Sequence, residues 1–167
     1  ALATPPVWSG GGCCVAPGDP TLVSYGTCGP TSLTSTSPGT GLYKTTDGGK
    51  SWKFVGLKET HQIGRVVVHP KDPNTVYVAA LGAAWKSNVD RGLYKTSDGG
   101  ATWKLIKFIS DKAGFVDVAL DPRDPNVVWA ASYERQRGPY FLKSGGPGSA
   151  LWKSTDAGGT WTEVRGN

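Results

Sequence analysis

Gly41-Leu-Tyr-Lys-Thr-Thr-Asp-Gly-Gly-Lys-Ser-Trp52 returns as Gly92-Leu-Tyr-Lys-Thr-Ser-Asp-Gly-Gly-Ala-Thr-Trp103 and as Ala150-Leu-Trp-Lys-Ser-Thr-Asp-Ala-Gly-Gly-Thr-Trp161. The copies start 51 and 58 residues apart. A segment written three times at a period of about 50 residues marks a chain built from repeated supersecondary units. A second element recurs between the first. His69-Pro-Lys-Asp-Pro-Asn-Thr-Val-Tyr-Val-Ala-Ala80 matches Asp121-Pro-Arg-Asp-Pro-Asn-Val-Val-Trp-Ala-Ala-Ser132 at an offset of 52, and Ala16-Pro-Gly-Asp-Pro-Thr-Leu-Val-Ser-Tyr-Gly-Thr27 precedes the first by 53. The lead-in Gly11-Gly-Cys-Cys-Val-Ala-Pro17 falls in register with Gly64-Arg-Val-Val-Val-His-Pro70, so the irregular N-terminal stretch reads as a degenerate first repeat.

Each repeat holds four strand signals. Strand A is the apolar run 66–68 or 115–120, and strand B is 75–80 or 127–132. Strand C is 93–96 or its equivalents, and strand D starts at the tryptophan, as in 103–106. These runs are rich in Val, Tyr, Trp, Ile and Phe and are bounded by Gly, Pro, Asn and Asp, which is how strands joined by turns read. No stretch sustains a 3.6-residue apolar period, so helix content is expected to be very low. In Thr46-Asp47-Gly48-Gly49-Lys50-Ser51 the glycines supply positive φ, and the aspartate can accept N–H bonds within its own turn. The following tryptophan is large enough to pack between neighbouring sheets. Pro70, Pro73, Pro122 and Pro125 suit the A–B connection, where no ladder donor is needed.

Four antiparallel strands per repeat predict an all-β chain of β-propeller blades. Three blades are expected in one segment over 1–167, at about 7–56, 62–108 and 114–165. Propellers usually close with about four to eight blades, so three blades form either part of a longer ring or half of a six-bladed dimer. The absence of methionine and the start and stop near blade boundaries fit both.

The pattern Ser/Thr-x-Asp-x-Gly-x-Ser/Thr-Trp at 45–52, 96–103 and 154–161 resembles the Asp-box, or bacterial neuraminidase repeat. That family includes sialidases, xyloglucan-cleaving propeller hydrolases and sortilin-type receptor propellers. The third copy departs from the others at Ala157, where they carry glycine. The stretch from Ser132 to Asp156 resembles large bacterial extracellular proteins described as sortilin-like or glycosyl-hydrolase repeat proteins. The resemblance implies a carbohydrate or protein ligand and an extracellular or periplasmic location. It covers 41–167 well and 7–40 poorly.

Composition excludes some classes. Net charge is +5, from 18 basic and 13 acidic residues, and the basic residues are scattered, so no nucleic-acid footprint is expected. No run approaches the roughly 18 apolar residues of a membrane helix. Cys13, Cys14 and Cys28 are too few for a disulfide scaffold. They read as small buried hydrophobes, with one bridge from Cys13 or Cys14 to Cys28 as the alternative. His61 and His69 stand at no metal-ligand spacing, and neither a metal nor a cofactor is expected.

Strand parity locates the working face. The A–B and C–D connections share one end of the segment, and the B–C and D–A connections share the other. The first set is nearly constant between repeats. The second set varies: the B–C segment spans 11 residues over 81–91 and 17 over 133–149. Loops that differ between copies are where function is grafted onto a repeated scaffold. Asp47, Asp98 and Asp156, with Trp52, Trp103 and Trp161, therefore read as structural, as do Asp72 and Asp124. Gly145-Gly-Pro-Gly-Ser149 lacks the features of a phosphate loop and reads as a flexible connector into strand C.

On the variable end stand Glu59, His61, Gln62, Arg65, Asp90, Arg91, Asp111, Glu134, Arg135, Arg137 and Tyr140. Glycoside cleavage uses two carboxylates about 5–10 Å apart, one protonated and one ionised. Glu134 and Asp90, from neighbouring B–C segments, are the candidate pair. In the xyloglucan-cleaving relatives the catalytic aspartates follow strand B; here Glu134 is the acid close after that strand, and Leu81 stands at the matching place in the second blade. Arg65, Arg135 and Arg137 with Tyr133 or Tyr140 form a candidate sialidase-like clamp, although the arginine-isoleucine-proline signature of that family is absent. Trp85 and Tyr140, in loops expected to be exposed, either stack on sugar rings or anchor their own loops. Two functions remain open: a carbohydrate-active propeller, and a non-catalytic propeller that binds glycan or protein on the same face.

Overall fold

The computed structural model describes residues 12–27 and 39–165. They form three antiparallel sheets. The first runs β1 (Cys13–Ala16), β2 (Asp19–Gly26), β3 (Leu42–Thr45) and β4 (Lys53–Gly56). A single 3₁₀ turn, Lys58–Thr60, leads to the second: β5 (Ile63–His69), β6 (Asp72–Ala80), β7 (Gly92–Thr96) and β8 (Lys104–Lys107). The third holds β9 (Ala113–Leu120), β10 (Val128–Gly138), β12 (Ala150–Ser154) and β13 (Thr162–Val164), with β11 (Phe141–Ser144) paired to the far end of β10. Apart from β11, each sheet is a meander with neighbours in chain order, so the all-β blade architecture read from the repeat is the one observed. Cys28 lies outside the described residues.

The blades stack through two apolar seams, and β6 shows how one strand serves both. Side chains on a strand point to alternate faces. Val76 and Val78 join Ala16, Leu22, Leu42, Ile63, Val66 and Val68 in the seam with the first blade. Tyr77 and Ala79 join Leu93, Phe115, Val118, Val128 and Ala130 in the seam with the third. This two-sided burial explains why Val-Tyr-Val-Ala-Ala is apolar without alternation. Each fully buried Leu, Val or Phe contributes about 1.5–3 kcal/mol, so the seams hold the segment together. The motif tryptophans serve the same seams: Trp103 packs against the first cluster and Trp161 against the second. Trp103 Nε1 also donates to the Val55 carbonyl of the preceding blade at 2.7 Å.

The inner strands approach so closely that glycine is required. A Cβ on Gly64 of β5 would stand 2.5 Å from the Val116 carbonyl oxygen of β9, and one on Gly12 would stand 2.7 Å from the Arg65 Cα. Cys14 packs against the first seam, as a small hydrophobe does. Cys13 is exposed although its register partner Val66 is buried. The reason is positional: Val66 faces the first blade, whereas the corresponding face of the first blade meets no sheet among the described residues.

Two hydrogen-bond sets recur with the repeat. In each blade the residue after the motif aspartate donates its N–H to the A–B side: Gly48 to Thr21 O, Gly99 to Asn74 O, and Ala157 to Asn126 O, at 2.8–3.0 Å. The C–D turn and the A–B connection therefore lie at one end. Across the seams, Lys44 Nζ donates to Gly99 O at 3.2 Å, and Lys95 Nζ to Ala157 O at 2.9 Å. The lysines of the first two motifs thus grip the turn of the blade that follows.

Candidate functional site

The opposite end is tied together by the variable segments. Leu81 N–H donates to Gln62 O at 2.8 Å, Asn88 N–H to Asp111 O at 3.0 Å, and Asn88 Nδ2 to Glu59 O at 2.9 Å. Arg137 N–H donates to Ala84 O at 2.9 Å. The B–C segments of two blades and the D–A segments on either side of the second blade thus form one surface.

Its anchor is Arg91. The guanidinium is 1% exposed and donates only to backbone: Leu81 O at 2.9 Å, Lys112 O at 3.2 Å, Lys86 O at 3.0 Å, and Ala83 O. Five donors in a rigid fork suit this task, because the loop turns its carbonyls inward and each needs a partner. Gly82, at φ 86, leaves the room: a Cβ there would stand 2.1 Å from Arg91 Cγ. Burial lowers the Arg91 pKa, and nearby Asp111 works against that shift. The sequence placed Arg91 among surface candidates; it is instead the internal brace of the surface.

Beside it lies a cleft of about 290 Å³ lined by Glu59, His61, Lys86, Ser87, Asn88, Val89, Asp90 and Asp111. Three acidic residues from three segments, Glu59, Asp90 and Asp111, border it. Leu57 and His61 flank the cleft's 3₁₀ turn with φ of 58° and 56°, conformations that non-glycine residues adopt only when surroundings hold them. Tyr94 OH donates to the Asp90 carbonyl at 3.0 Å and fixes the end of the loop.

The third blade's B–C segment, read from sequence as a 17-residue loop, is instead a hairpin arm. β10 continues to Gly138, and β11 pairs back in the register Arg135–Ser144, Gln136–Lys143, Arg137–Leu142 and Gly138–Phe141. Its tip carries Tyr140, wholly exposed, with Phe141 and Leu142 also exposed. Trp85, half exposed in the neighbouring B–C loop, stands under Arg137, whose guanidinium carbon is 6.0 Å from the ring centroid. Tyr133 OH contacts Ser144 Oγ across the arm.

Glu134 lies at the base of this arm and does not line the cleft that contains Asp90. Its side chain is 6% exposed, with Oε1 accepting from Lys143 Nζ at 2.8 Å and Oε2 from Gly148 N–H at 3.2 Å. The Lys143 hydrogen bond, then the Gly148 N–H, holds the Glu134 pKa below the usual carboxylate range. An ionised, neutralised carboxylate is the opposite of what a general acid needs. Gly145–Ser149, read from sequence as a flexible connector, is organised around the same residue. Gly145 N–H donates to Glu134 O, Ser149 N–H to Gly146 O, and Glu134 N–H to Ser149 Oγ. Ser132 Oγ completes the base, donating to Gly148 O at 2.7 Å and accepting from Trp152 Nε1 at 2.9 Å.

The three arginines fall apart. Arg137 is buried against Trp85 and Arg135 lies on the arm, whereas Arg65 projects from β5 toward Asp117 of β9 at 3.7 Å, both side chains exposed. They do not converge as one carboxylate clamp.

At the constant end the motif aspartates are occupied. Asp98 accepts from Thr96 Oγ1 at 2.6 Å, Thr102 N–H at 2.9 Å and Thr102 Oγ1 at 2.5 Å. Asp47 and Asp156 do the same with Thr45 and Ser51, and with Ser154 and Thr160. These donors stabilise the ionised form. They depress the Asp156 pKa to about 2, with the Thr160 N–H foremost, and those of Asp47 and Asp98 further. No group of three or more His, Cys, Asp or Glu suited to a metal ion occurs among the described residues.

A partial β-propeller with a braced loop face is thus the class of the protein, and comparison identifies the family. The model described as Sortilin, neurotensin receptor 3 (Sortilin-Vps10) matches residues 40–167, and the chain belongs to that family. Among curated proteins it is similar to a Paenibacillus sp. xyloglucanase, 25% identical over 142 residues that cover 75% of this chain and 13% of that protein. It is also similar to the xyloglucanase Xgh74A of Acetivibrio thermocellus, 27% identical over 108 residues, or 59% and 11%. The chain therefore spans about an eighth of the length of these relatives. Among solved structures, an ancestral GH74 enzyme superposes with a TM-score of 0.63 at 24% identity over 93% of this chain and 18% of that one. The GH74 enzyme of Niastella koreensis gives 0.62 at 24% over 90% and 20%. The GH74 xyloglucanase of Xanthomonas campestris gives 0.60 at 22% over 93% and 22%. At these identities the structures show a shared fold.

Proposed function

We propose that this chain is a glycan-engaging segment of a carbohydrate-active β-propeller, working on the face made by 57–62, 81–91, 108–112 and the hairpin arm. The observation that carries the reading is the pairing of aromatic surface with a carboxylate cleft on that one face. Tyr140 and Trp85 offer rings that suit the apolar faces of sugar rings, and Glu59, Asp90 and Asp111 offer acceptors for hydroxyl groups. Arg135 and Arg137 flank the aromatic surface. The sequence likeness to two xyloglucanases supports a β-glucan as the ligand class, and an extracellular or periplasmic placement goes with it. Asp90, in the cleft, is this chain's carboxylate placed to face substrate. Glu134 braces the arm, so a complete acid–base pair is not assembled from these two residues.

Isothermal titration with xyloglucan oligosaccharides tests the reading. Binding is expected, and Trp85→Ala and Tyr140→Ala are each expected to weaken it about tenfold, the equivalent of roughly 1.4 kcal/mol. Absence of binding to any β-glucan, or binding that ignores both substitutions, overturns it. A second reading, a protein ligand on the same face, is favoured by the family match and by exposed Phe141 and Leu142; capture of a peptide that is lost on Phe141→Ala, with no β-glucan bound, would favour it over the first.

A further inference from the structure

Where each seam meets the motif turns it opens into a groove, and both walls of each groove belong to this chain. The first, of about 610 Å³, runs between Lys44, Thr46 and Lys53 of the first blade and Asp98, Gly99 and Gly100 of the second. The second, of about 290 Å³, runs between Lys95, Ser97 and Lys104 of the second blade and Asp156 and Gly158 of the third. In each groove the two lysines are direct cross-strand partners, Lys44–Lys53 and Lys95–Lys104, so both ammonium groups leave the same face of the sheet. Like charges placed directly opposite each other are destabilising, yet the pair is written twice. The fold does not require it, since the third blade sets Thr162 opposite Lys153.

The pairs are not neutralised from within. Lys44 Nζ and Lys95 Nζ each give one donor to a carbonyl of the next turn, out of the three an ammonium carries. Lys53 and Lys104 make no ion pair among the described residues. Asp98 and Asp156 border the grooves, but their oxygens accept from the hydroxyls and N–H groups of their own turns. Two lysines against one aspartate leave each groove with an excess of positive charge. Burial, then the charge of Lys104, lowers the Lys95 pKa, and Asp156 acts against both.

We propose that each groove is an oxyanion site, in which a phosphate, sulfate or carboxylate group bridges Lys44 with Lys53 and, one blade on, Lys95 with Lys104. An anion between them turns a repulsive pair into two charge-assisted hydrogen bonds. The hydroxyls of Thr46 and Ser97, at equivalent places in the repeat, stand ready as further donors. Two such sites one blade apart suit free ions or an acidic polysaccharide whose charges repeat along its chain, because the group recognised is the same. Both lie at the constant end, away from the face assigned to β-glucan.

Titration with inorganic phosphate at constant ionic strength, which holds screening fixed, tests the proposal through NMR of the backbone amides. Saturable shifts are expected at Gly99 and Gly100 and at Ala157 and Gly158. Lys53→Met is expected to weaken binding at the first pair at least about tenfold, as loss of one hydrogen bond to a charged group does, and to spare the second. Lys104→Met is expected to do the reverse, and Lys71→Met, a charge removed outside both grooves, to change neither. Absence of saturable shifts, or shifts that ignore both Lys53→Met and Lys104→Met, overturns the proposal. Should one variant fail to fold, the other decides for its own groove. A parallel titration with oligoglucuronate distinguishes the sources: binding tighter than phosphate at the same amides assigns the anion to a polysaccharide, and weaker binding assigns it to the free ion. None of these readouts involves β-glucan, so the outcome is separate from that of the proposed function.

Discussion

The two ends of the segment are held by different kinds of contact. At the constant end, each turn is closed from within: Asp47, Asp98 and Asp156 bond only to hydroxyls and N–H groups two to four residues away. At the loop end, the shape depends on residues far apart in sequence. Arg91 reaches Lys112, Asn88 reaches Glu59 and Asp111, and Arg137 reaches Ala84. A turn whose aspartate bonds within it, and whose contact with the preceding blade repeats as Lys44–Gly99 and Lys95–Ala157 do, can be copied into every blade. A loop braced by its neighbours is particular to its place, and this is how one end of a repeat protein becomes a scaffold and the other a site.

The comparison is most exposed to Arg91→Leu. The substitution strands inward carbonyls of Leu81, Ala83, Lys86 and Lys112, and unpaired buried polar groups cost about 1–3 kcal/mol each. With partial relaxation of the loop, a loss of about 3 kcal/mol is expected in urea unfolding, together with loss of glycan binding. A variant within about 0.5 kcal/mol of the parent would show that the loop end does not need its brace.

Glu134→Ala comes next. It removes the acceptor shared by Lys143 and Gly148, so amide hydrogen exchange in 141–149 should accelerate at least about tenfold, as a local opening eased by roughly 1.4 kcal/mol does. Exchange at the motif turns should not change. Unaltered exchange in the arm would mean that β10–β11 pairing alone holds it.

Acid tests the other end. A carboxylate whose folded pKa is depressed adds stability that is present above its unfolded value, near 3.9, and is lost as pH falls through the folded value. For Asp156 that window runs from about pH 4 to about 2, and for Asp47 and Asp98 it extends lower. Urea midpoints should therefore fall steeply below pH 4. Asp98→Asn should be less stable at pH 7 and less sensitive to acid, whereas an acid profile equal to the parent's would mean that the turn does not use the charge.

The smallest effect belongs to Ala157, which holds φ 57 where the other two turns have glycine. A left-handed alanine costs about 1–2 kcal/mol, and glycine returns part of that through its greater freedom when unfolded. Ala157→Gly should stabilise the chain by about 0.5–1 kcal/mol in thermal unfolding. Destabilisation would show that the Asn126 and Lys95 contacts depend on the methyl-bearing residue.

Much of the fold was legible because its determinants are local. Glycine, aspartate and proline at fixed offsets specify turns, and β-branched and aromatic runs between them specify strands, so three blades and their two ends could be read from residue order. The site was less legible. The lysine clasp was visible as a repeated lysine, but what Lys44 and Lys95 grip lies 55 and 62 residues away. The arm was hidden because Tyr133–Gly138 carries Glu134, Arg135, Gln136 and Arg137 in succession, a polar run without apolar alternation that reads as loop until β11 pairs with it. Phe141, exposed on that arm, belongs to the same omission.

By itself the sequence determined the repeat, the meander within each sheet, the closure of every motif turn and the end at which variation collects, since each follows from residues close together in the chain. Only the tertiary structure decided that Arg91 lies inside, that Glu134 is neutralised by Lys143, and that Asp90 shares a cleft with Glu59 and Asp111. Those depend on which blade covers which surface and on how far burial strips water from a charge, and both are set by packing between residues that the chain order keeps apart.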